Sequence, residues 1–381
     1  MIKKKLKLII VISKDWSFWS HRLPLAKSAI EAGYEVTLVT KVNKFEKKIK
    51  EEGINIININ FARSSKSPLT DLFNIIKLIC IFRKEKPDII HNVALKTILI
   101  SSLASLFSRR TVVINAFTGL GYVFSSNQLQ AKIIRLFIKP IFRIIMRRSN
   151  NWTIFQNPDD LNLFNDLGLI EPDRSILIRG SGVNTSEFSK SADTNETPVV
   201  MLASRMLWDK GVGEFVEAAK RLNKDNIKAK FVIVGDIDND NPMSIPIKTI
   251  KQWVNEGHVD WLGYSSSMPE TLSSASIVCL PSYREGLPKV LLEAAAVGRP
   301  LVATDVPGCR EIVKNNENGI LVKLKNVDSL YNAIKSLILN KEMRQSMGES
   351  SRALVESQLS TDIINNQILE FYKRARNNEF S

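Results

Sequence analysis

Cysteine and histidine are scarce, with three of each among 381 residues. Cys80, Cys279 and Cys309 form no CxxC pair. That excludes a disulfide scaffold and makes a zinc site a poor reading. Long apolar runs are also missing. The longest candidate, "ILISSLASLF" at 98–107, falls short of the roughly 20 residues a spanning helix needs. The opening "MIKKKLKLIIVISKDW" has only a short apolar run, Leu6 to Ile12, and no small-residue cleavage site after it. It reads as a buried first strand rather than an export signal. The expectation is a cytoplasmic protein that does not cross the membrane.

Carboxylates are missing from one stretch. Between Ile89 and Pro158 there is no Asp or Glu. The net charge of +14 is correspondingly uneven: residues 1–190 hold 30 Lys and Arg against 15 Asp and Glu, and residues 191–381 hold 23 against 24. A basic first half beside a neutral second half points to an anionic partner for the first half only. Charges of both signs are otherwise plentiful and 44% of residues are hydrophobic, so disorder is excluded and the length suits two cores.

What is present is a repeated β-then-α rhythm. "LKLIIVIS", "YEVTLVT", "GINIININ", "PDIIHNV" and "TVVINAFTG" read as buried strands with helical patterns between them, such as "LPLAKSAIEAG". After the polar stretch "SKSADTNETP" the rhythm restarts with "VVMLASR", "KFVIVGD", "HVDWLGY", "ASIVCLPS", "PLVATDV" and "GILVK". Short apolar runs alternating with amphipathic helices give parallel sheets covered on both faces. The prediction is α/β, two doubly wound Rossmann-like domains, with a linker near 185–197 and a helical tail from about 328. The boundaries are drawn at 1–187, 188–360 and 361–381, the last a helix that packs back on the first domain.

Two segments carry chemistry. "SYREGLPKVLLEAAAVGRPLVATDVPG" (282–308) places Glu285 in a turn and Glu293 in the helix that follows. Ligands of open parallel sheets bind beyond the carboxyl ends of strands. There, backbone N–H groups at a helix start, from Gly286 and Leu287 onward, favour phosphate, and a carboxylate can accept two hydrogen bonds from a ribose diol. "ASRMLWDKGV" (203–212) sets Arg205 and Lys210 across a strand-to-helix turn. A guanidinium fork and a mobile ammonium suit a diphosphate. Each segment alone also reads as ordinary surface charge; their occurrence in one domain favours a site.

These segments, together with "FVIVGD" and "WLGY", resemble the retaining glycosyltransferases of family 4, whose GT-B fold has two Rossmann-like domains facing a cleft. The resemblance spans nearly the whole chain and is sharpest from 199 to 322. It implies a nucleotide-sugar donor, with UDP and an N-acetylhexosamine the expected form. Glu285 would approach the sugar hydroxyls, Glu293 bind the ribose, and Arg205 and Lys210 bind the diphosphate, with no metal or other cofactor and the nucleotide sugar as a substrate. "SHRLPLAKSAIEAGYEVTLVT", "PDIIHNVALK" and "NAFTGLGYVF" resemble members that build bacterial surface polysaccharides such as O-antigen or capsule on a polyprenyl diphosphate carrier. His91 is then expected at a strand end beside the transferred sugar, as a catalytic group. One departure stands out. The first loop, "SKDWSFWSHR", lacks the glycine pair of many relatives; Ser13 and Arg22, or Gly119 and Gly121 after a later strand, are candidates for that acceptor or phosphate contact. A UDP-N-acetylglucosamine 2-epimerase-like enzyme, or a non-enzymatic nucleotide-sugar or nucleic-acid binder, are the alternatives. No nucleic-acid motif is present.

Finally, "LQAKIIRLFIKPIFRIIMRRSNN" spaces Lys132, Arg135, Lys139, Arg143 and Arg147 helically, with Ile134, Phe137, Ile138, Ile141 and Ile145 on another side. A basic amphipathic helix of this kind suits an anionic membrane surface. The expected location is peripheral, on the inner face of the cytoplasmic membrane.

Overall fold

The structure is a computed structural model that describes residues 5–61, 68–108, 110–120, 124 and 129–379. The chain divides into two compact units, residues 1–181 with 364–381, and residues 182–363.

The first unit is built on a seven-stranded parallel sheet: β1 (Leu6–Lys14), β2 (Tyr34–Lys41), β3 (Asn55–Asn58), β4 (Ile89–Val93), β5 (Val112–Phe117), β6 (Asn151–Phe155) and β7 (Ser175–Leu177). Their order is β3-β2-β1-β4-β5-β6-β7, so the winding reverses between β1 and β4. The connecting helices are α1 (Asp15–His21), α2 (Leu23–Glu31), α3 (Glu46–Glu51), α4 (Pro68–Glu85), α5 (Leu95–Ser105), α6 (Leu129–Met146) and α7 (Pro158–Asp166). Both sides of the strands are apolar because both are covered. Ile9 and Val11 of β1 and Ile90 of β4 pack under Leu78 and Phe82 of α4 and Ile100 of α5. On the same side, Phe117 and Phe155 meet Ile98 of α5 and Phe142, Ile145 and Met146 of α6. Leu8, Ile10 and Ile12 face the other way, toward α2.

The second unit has a six-stranded parallel sheet: β8 (Val199–Ala203), β9 (Lys230–Val234), β10 (Asp260–Trp261), β11 (Ile277–Leu280), β12 (Leu301–Thr304) and β13 (Gly319–Val322), in the order β10-β9-β8-β11-β12-β13. Its helices are α8 (Val212–Lys224), α9 (Ile247–Asn255), α10 (Met268–Ser273), α11 (Lys289–Ala296), α12 (Pro307–Arg310), α13 (Val327–Leu339) and α14 (Lys341–Leu354). The polar stretch expected to be a linker is fastened to this unit. Ser276 Oγ donates to Asp193 at 2.9 Å, and Arg299 NH1 donates to the Ser191 carbonyl at 2.7 Å.

The chain enters the second unit at Gly182 and leaves beside it. A Cβ at Gly182, whose φ is +67°, would lie 2.7 Å from the Thr361 Cα. The last helix, α15 (Thr361–Asn377), then buries Ile368, Phe371 and Tyr372 against the even-numbered side of β1 in the first unit. Asn365 donates to Ser28 of α2 at 3.0 Å.

Candidate active site

In the second sheet the chain leaves β8 toward β9 and returns on the other side at β11. The loops after β8 and β11 therefore flank the reversal point, where open parallel sheets hold their ligands. Glycine allows these loops to touch. Gly211, at φ +73°, caps α8 with its Cα against β11's exit: a Cβ there would sit 2.1 Å from the Pro281 carbonyl oxygen. The backbone N–H of Tyr283 completes the junction by donating to the Asp209 carbonyl at 2.8 Å.

This junction joins the two sequence motifs. Lys210 Nζ lies 2.5 Å from Glu285 Oε1, with both side chains largely buried. Arg205 points elsewhere, to Asp238 after β9, at 2.5 Å and half-exposed. The structure thus separates the expected cation pair and gives each member its own carboxylate. Behind the Glu285 turn stands α12. A Cβ on Gly308 would meet the Gly286 carbonyl oxygen at 2.4 Å. Burial, then the nearby Glu285 carboxylate, pushes the Cys309 thiol well above its ordinary value, so it is inert as a nucleophile. Leu287 packs against the unit's core.

Glu293 lies in α11 and is 6% exposed. Lys289, one turn earlier, reaches its Oε1 at 3.0 Å. Burial raises the carboxyl above its ordinary value, and Lys289 only partly opposes this. No side chain caps α11, whose N-cap is Pro288.

Sequence reasoning missed several groups at this edge. Tyr283 donates its hydroxyl to Glu214 at 2.6 Å, with Lys325 Nζ 4.5 Å above its ring. Ser282 and Thr304, at the ends of β11 and β12, are buried with hydroxyls that have no hydrogen-bond partner among the described residues. Their signal in the sequence was only a hydroxyl residue at the end of an apolar run.

In the first unit, three expectations are corrected. His91 does not end a strand: β4 continues to Val93. His91 is fully buried under α15, where its Nδ1 lies 2.6 Å from the Tyr372 hydroxyl. Burial, then the Arg22 charge, lowers its pKa well below the ordinary 6.5. A neutral core imidazole with no solvent contact cannot touch a sugar. Nor is "SKDWSFWSHR" a loop, since β1 runs to Lys14 and α1 starts at Asp15. The Asp15 carboxylate fixes that start, accepting from the backbone N–H of Trp16 at 2.7 Å and of Asn43 at 2.7 Å. Ser13 is consequently a half-buried strand residue, and Arg22, at the junction of α1 and α2, is buried, which lowers its pKa to about 10. Gly119, at φ +124°, follows β5. Gly121 lies outside the described residues.

The basic segment is one helix, α6, with Pro140 inside it. Lys132 and Arg143 are exposed, and Arg135 and Lys139 are half-buried. The apolar stripe expected to be exposed is split. Ile145 is in the core and Ile138 is half-buried against it, while Ile134, Phe137 and Ile141 of the same stripe point outward, as do Leu129, Ile133, Leu136 and Ile144. A helix apolar on two sides must both pack and present, which periodicity alone cannot sort.

Residues 183–354 match the family described as Glycosyl transferases group 1, and residues 7–157 the one described as Glycosyl transferase 4-like. An N,N'-diacetylbacillosaminyl-diphospho-undecaprenol alpha-1,3-N-acetylgalactosaminyltransferase of Campylobacter jejuni is 28% identical over 375 residues, which are 95% of this chain and 97% of that one. A UDP-Gal:alpha-D-GlcNAc-diphosphoundecaprenol alpha-1,3-galactosyltransferase of Escherichia coli is 26% identical over 281 residues, 70% of each chain. The crystal structure of a glycosyltransferase from Rickettsia africae superposes with a TM-score of 0.80 at 20% identity, covering 98% of this chain and 99% of that one.

Proposed function

The chain belongs to the two-domain glycosyltransferases of the GT-B fold, its C-terminal part to group 1 and its N-terminal part to the 4-like type, and from that premise we propose that it transfers an N-acetylhexosamine from a UDP donor, with retention, onto a saccharide carried on polyprenyl diphosphate. The observation that carries the reading is the Lys210–Glu285 pair, 2.5 Å apart at the reversal point of the second sheet. An ammonium offers three donors. One holds the Glu285 carboxylate in place and the others remain for the donor diphosphate. The second carboxylate oxygen of Glu285 is then left to accept from the sugar hydroxyls.

Arg205 is half-exposed on Asp238, and an exposed pair of that kind is worth little. Exchanging it for a bidentate contact with the diphosphate is favourable. Two cations beside the leaving UDP stabilise its growing charge, and they do so more in the transition state than in the ground state. Glu293 accepts from the ribose diol. With His91 in the core, no imidazole enters the scheme, and retention requires no protein nucleophile.

The acceptor class is supported by the names of the Campylobacter jejuni and Escherichia coli relatives, both of which carry an undecaprenol diphosphate. Among the described residues no helix is long and apolar enough to cross a membrane. We place the enzyme peripherally on the inner face of the cytoplasmic membrane, held there by α6. Incubation with UDP-hexoses and UDP-N-acetylhexosamines and a polyprenyl-diphosphate-linked monosaccharide, read by mass and anomeric coupling, tests the reading. Transfer of an N-acetylhexosamine in the donor's configuration is expected. No transfer from any UDP sugar, or an inverted linkage, overturns it.

A further inference from the structure

Eleven of the nineteen large apolar side chains exposed among the described residues lie on α4 and α6. On α4 they are Leu69, Leu72, Phe73 and Ile76, spaced at three and four residues and so aligned on one side of the helix. Cys80 extends the stripe and is exposed, while Cys279 and Cys309 are buried. The opposite side of α4, with Leu78 and Phe82, is in the core.

Both helices belong to the same outer layer, since α4 and α6 each pack on α5 and on one side of the first sheet. Their N-terminal halves share an edge of that layer. Each helix follows a strand of a parallel sheet, and Asp71 of α4 pairs with Lys96 at the start of α5 at 3.0 Å. Cations flank the α4 stripe. Lys77 Nζ lies 4.6 Å over the Phe73 ring, and the Arg83 guanidinium lies 5.8 Å from the ring of exposed Phe107. Long cationic side chains lying along apolar surface with their heads outward suit a boundary between hydrocarbon and anionic headgroups. The stretch without a carboxylate from Ile89 to Pro158 supplies α5 and α6. The layer therefore combines an apolar surface with a surplus of positive charge, complementary to an anionic lipid bilayer.

We propose that α4 is a second membrane-inserting element, and that its Leu69–Ile76 stripe enters the bilayer beside α6. This rests on the lipid-linked acceptor reading and adds to it a division of labour. The charges of α6 draw the enzyme to the surface, and the apolar side of α4 holds it there when charge is screened. At about 1 M salt the screening length falls to roughly 3 Å, so charge alone no longer holds.

The native thiol gives a direct test. Cys80 is labelled with an environment-sensitive fluorophore and mixed with vesicles of equal parts phosphatidylglycerol and phosphatidylcholine. The expected result is a blue-shifted label, quenched by nitroxide on the acyl chains and shielded from aqueous iodide. A label that iodide still reaches, on protein that pellets with the vesicles, overturns the proposal and leaves the membrane reading standing. Failure to pellet overturns both. In parallel, the Leu69→Ser, Leu72→Ser, Phe73→Ser, Ile76→Ser variant should lose about a hundredfold in vesicle partition at high salt. It should keep wild-type transfer to a short-chain, water-soluble acceptor. Unchanged high-salt partition overturns the proposal. So does a lipid-free wild-type dimer that the variant converts to monomer, since the stripe would then be a contact between copies.

Discussion

At the residue scale the informative side chain is Glu293. It is buried with a raised pKa, so the folded state holds its proton more tightly than the unfolded state does. Above the ordinary carboxylate range the unfolded chain has released that proton while the folded one resists, and stability falls as pH rises through the folded value. Glu293→Gln should therefore melt above wild type at neutral pH, with the gap closing below the ordinary carboxylate pKa of 4.5. The same variant should bind UDP about 1.5–3 kcal/mol more weakly if the carboxylate holds ribose, as titration calorimetry would show. A functional group that lowers stability is the expected trade-off at a site. Lys210 makes a different prediction. Its loss removes a charge that matters most as UDP departs, so Lys210→Ala should lower kcat as well as raise KM. A normal kcat with a depressed Tm would make the Glu285 pair structural.

At the element scale, α6 shows how one helix serves two surfaces. Phe142, Ile145 and Met146 fill the core, and Leu129, Leu136 and Phe137 stay outside with the basic residues between. Each Lys or Arg near an anionic surface contributes about 1 kcal/mol. Changing Lys132, Arg135, Lys139 and Arg143 together to Gln should weaken binding to phosphatidylglycerol vesicles at low salt to the level that the apolar side of α4 alone supports, while UDP binding persists. Equal pelleting of wild type and variant in a sedimentation assay would remove these charges from the docking surface. The amphipathic pattern was legible in the sequence because basic and apolar residues recur at helical spacing. Which apolar residues point inward was not, because that depends on where Phe117 and Phe155 of the sheet stand beneath the helix.

At the scale of the whole molecule, the first unit is discontinuous, closed by a helix that the chain reaches only after building the second unit. Tyr372, Phe371 and Ile368 of α15 belong to the first unit's core. Deleting residues 361–381 should therefore unfold the first unit and spare UDP binding by the second, a split that calorimetric scanning would show as the loss of one transition. The sequence by itself determined the sheet class, the succession of strands and the two charged motifs. Alternation, apolar runs and local turn residues are properties of neighbours along the chain. It also determined that Arg205, Lys210, Glu285 and Glu293 belong to one domain. Tertiary structure decided their partners: Lys210 meets Glu285 across 75 positions because Gly211 lets the loop rest on Pro281, and Arg205 turns to Asp238 instead. It also decided the fate of His91. A histidine at the end of an apolar run reads as a site residue, but two more strand residues and a returning helix put it in the core. Burial is set by what packs from far along the chain, and no local pattern records it.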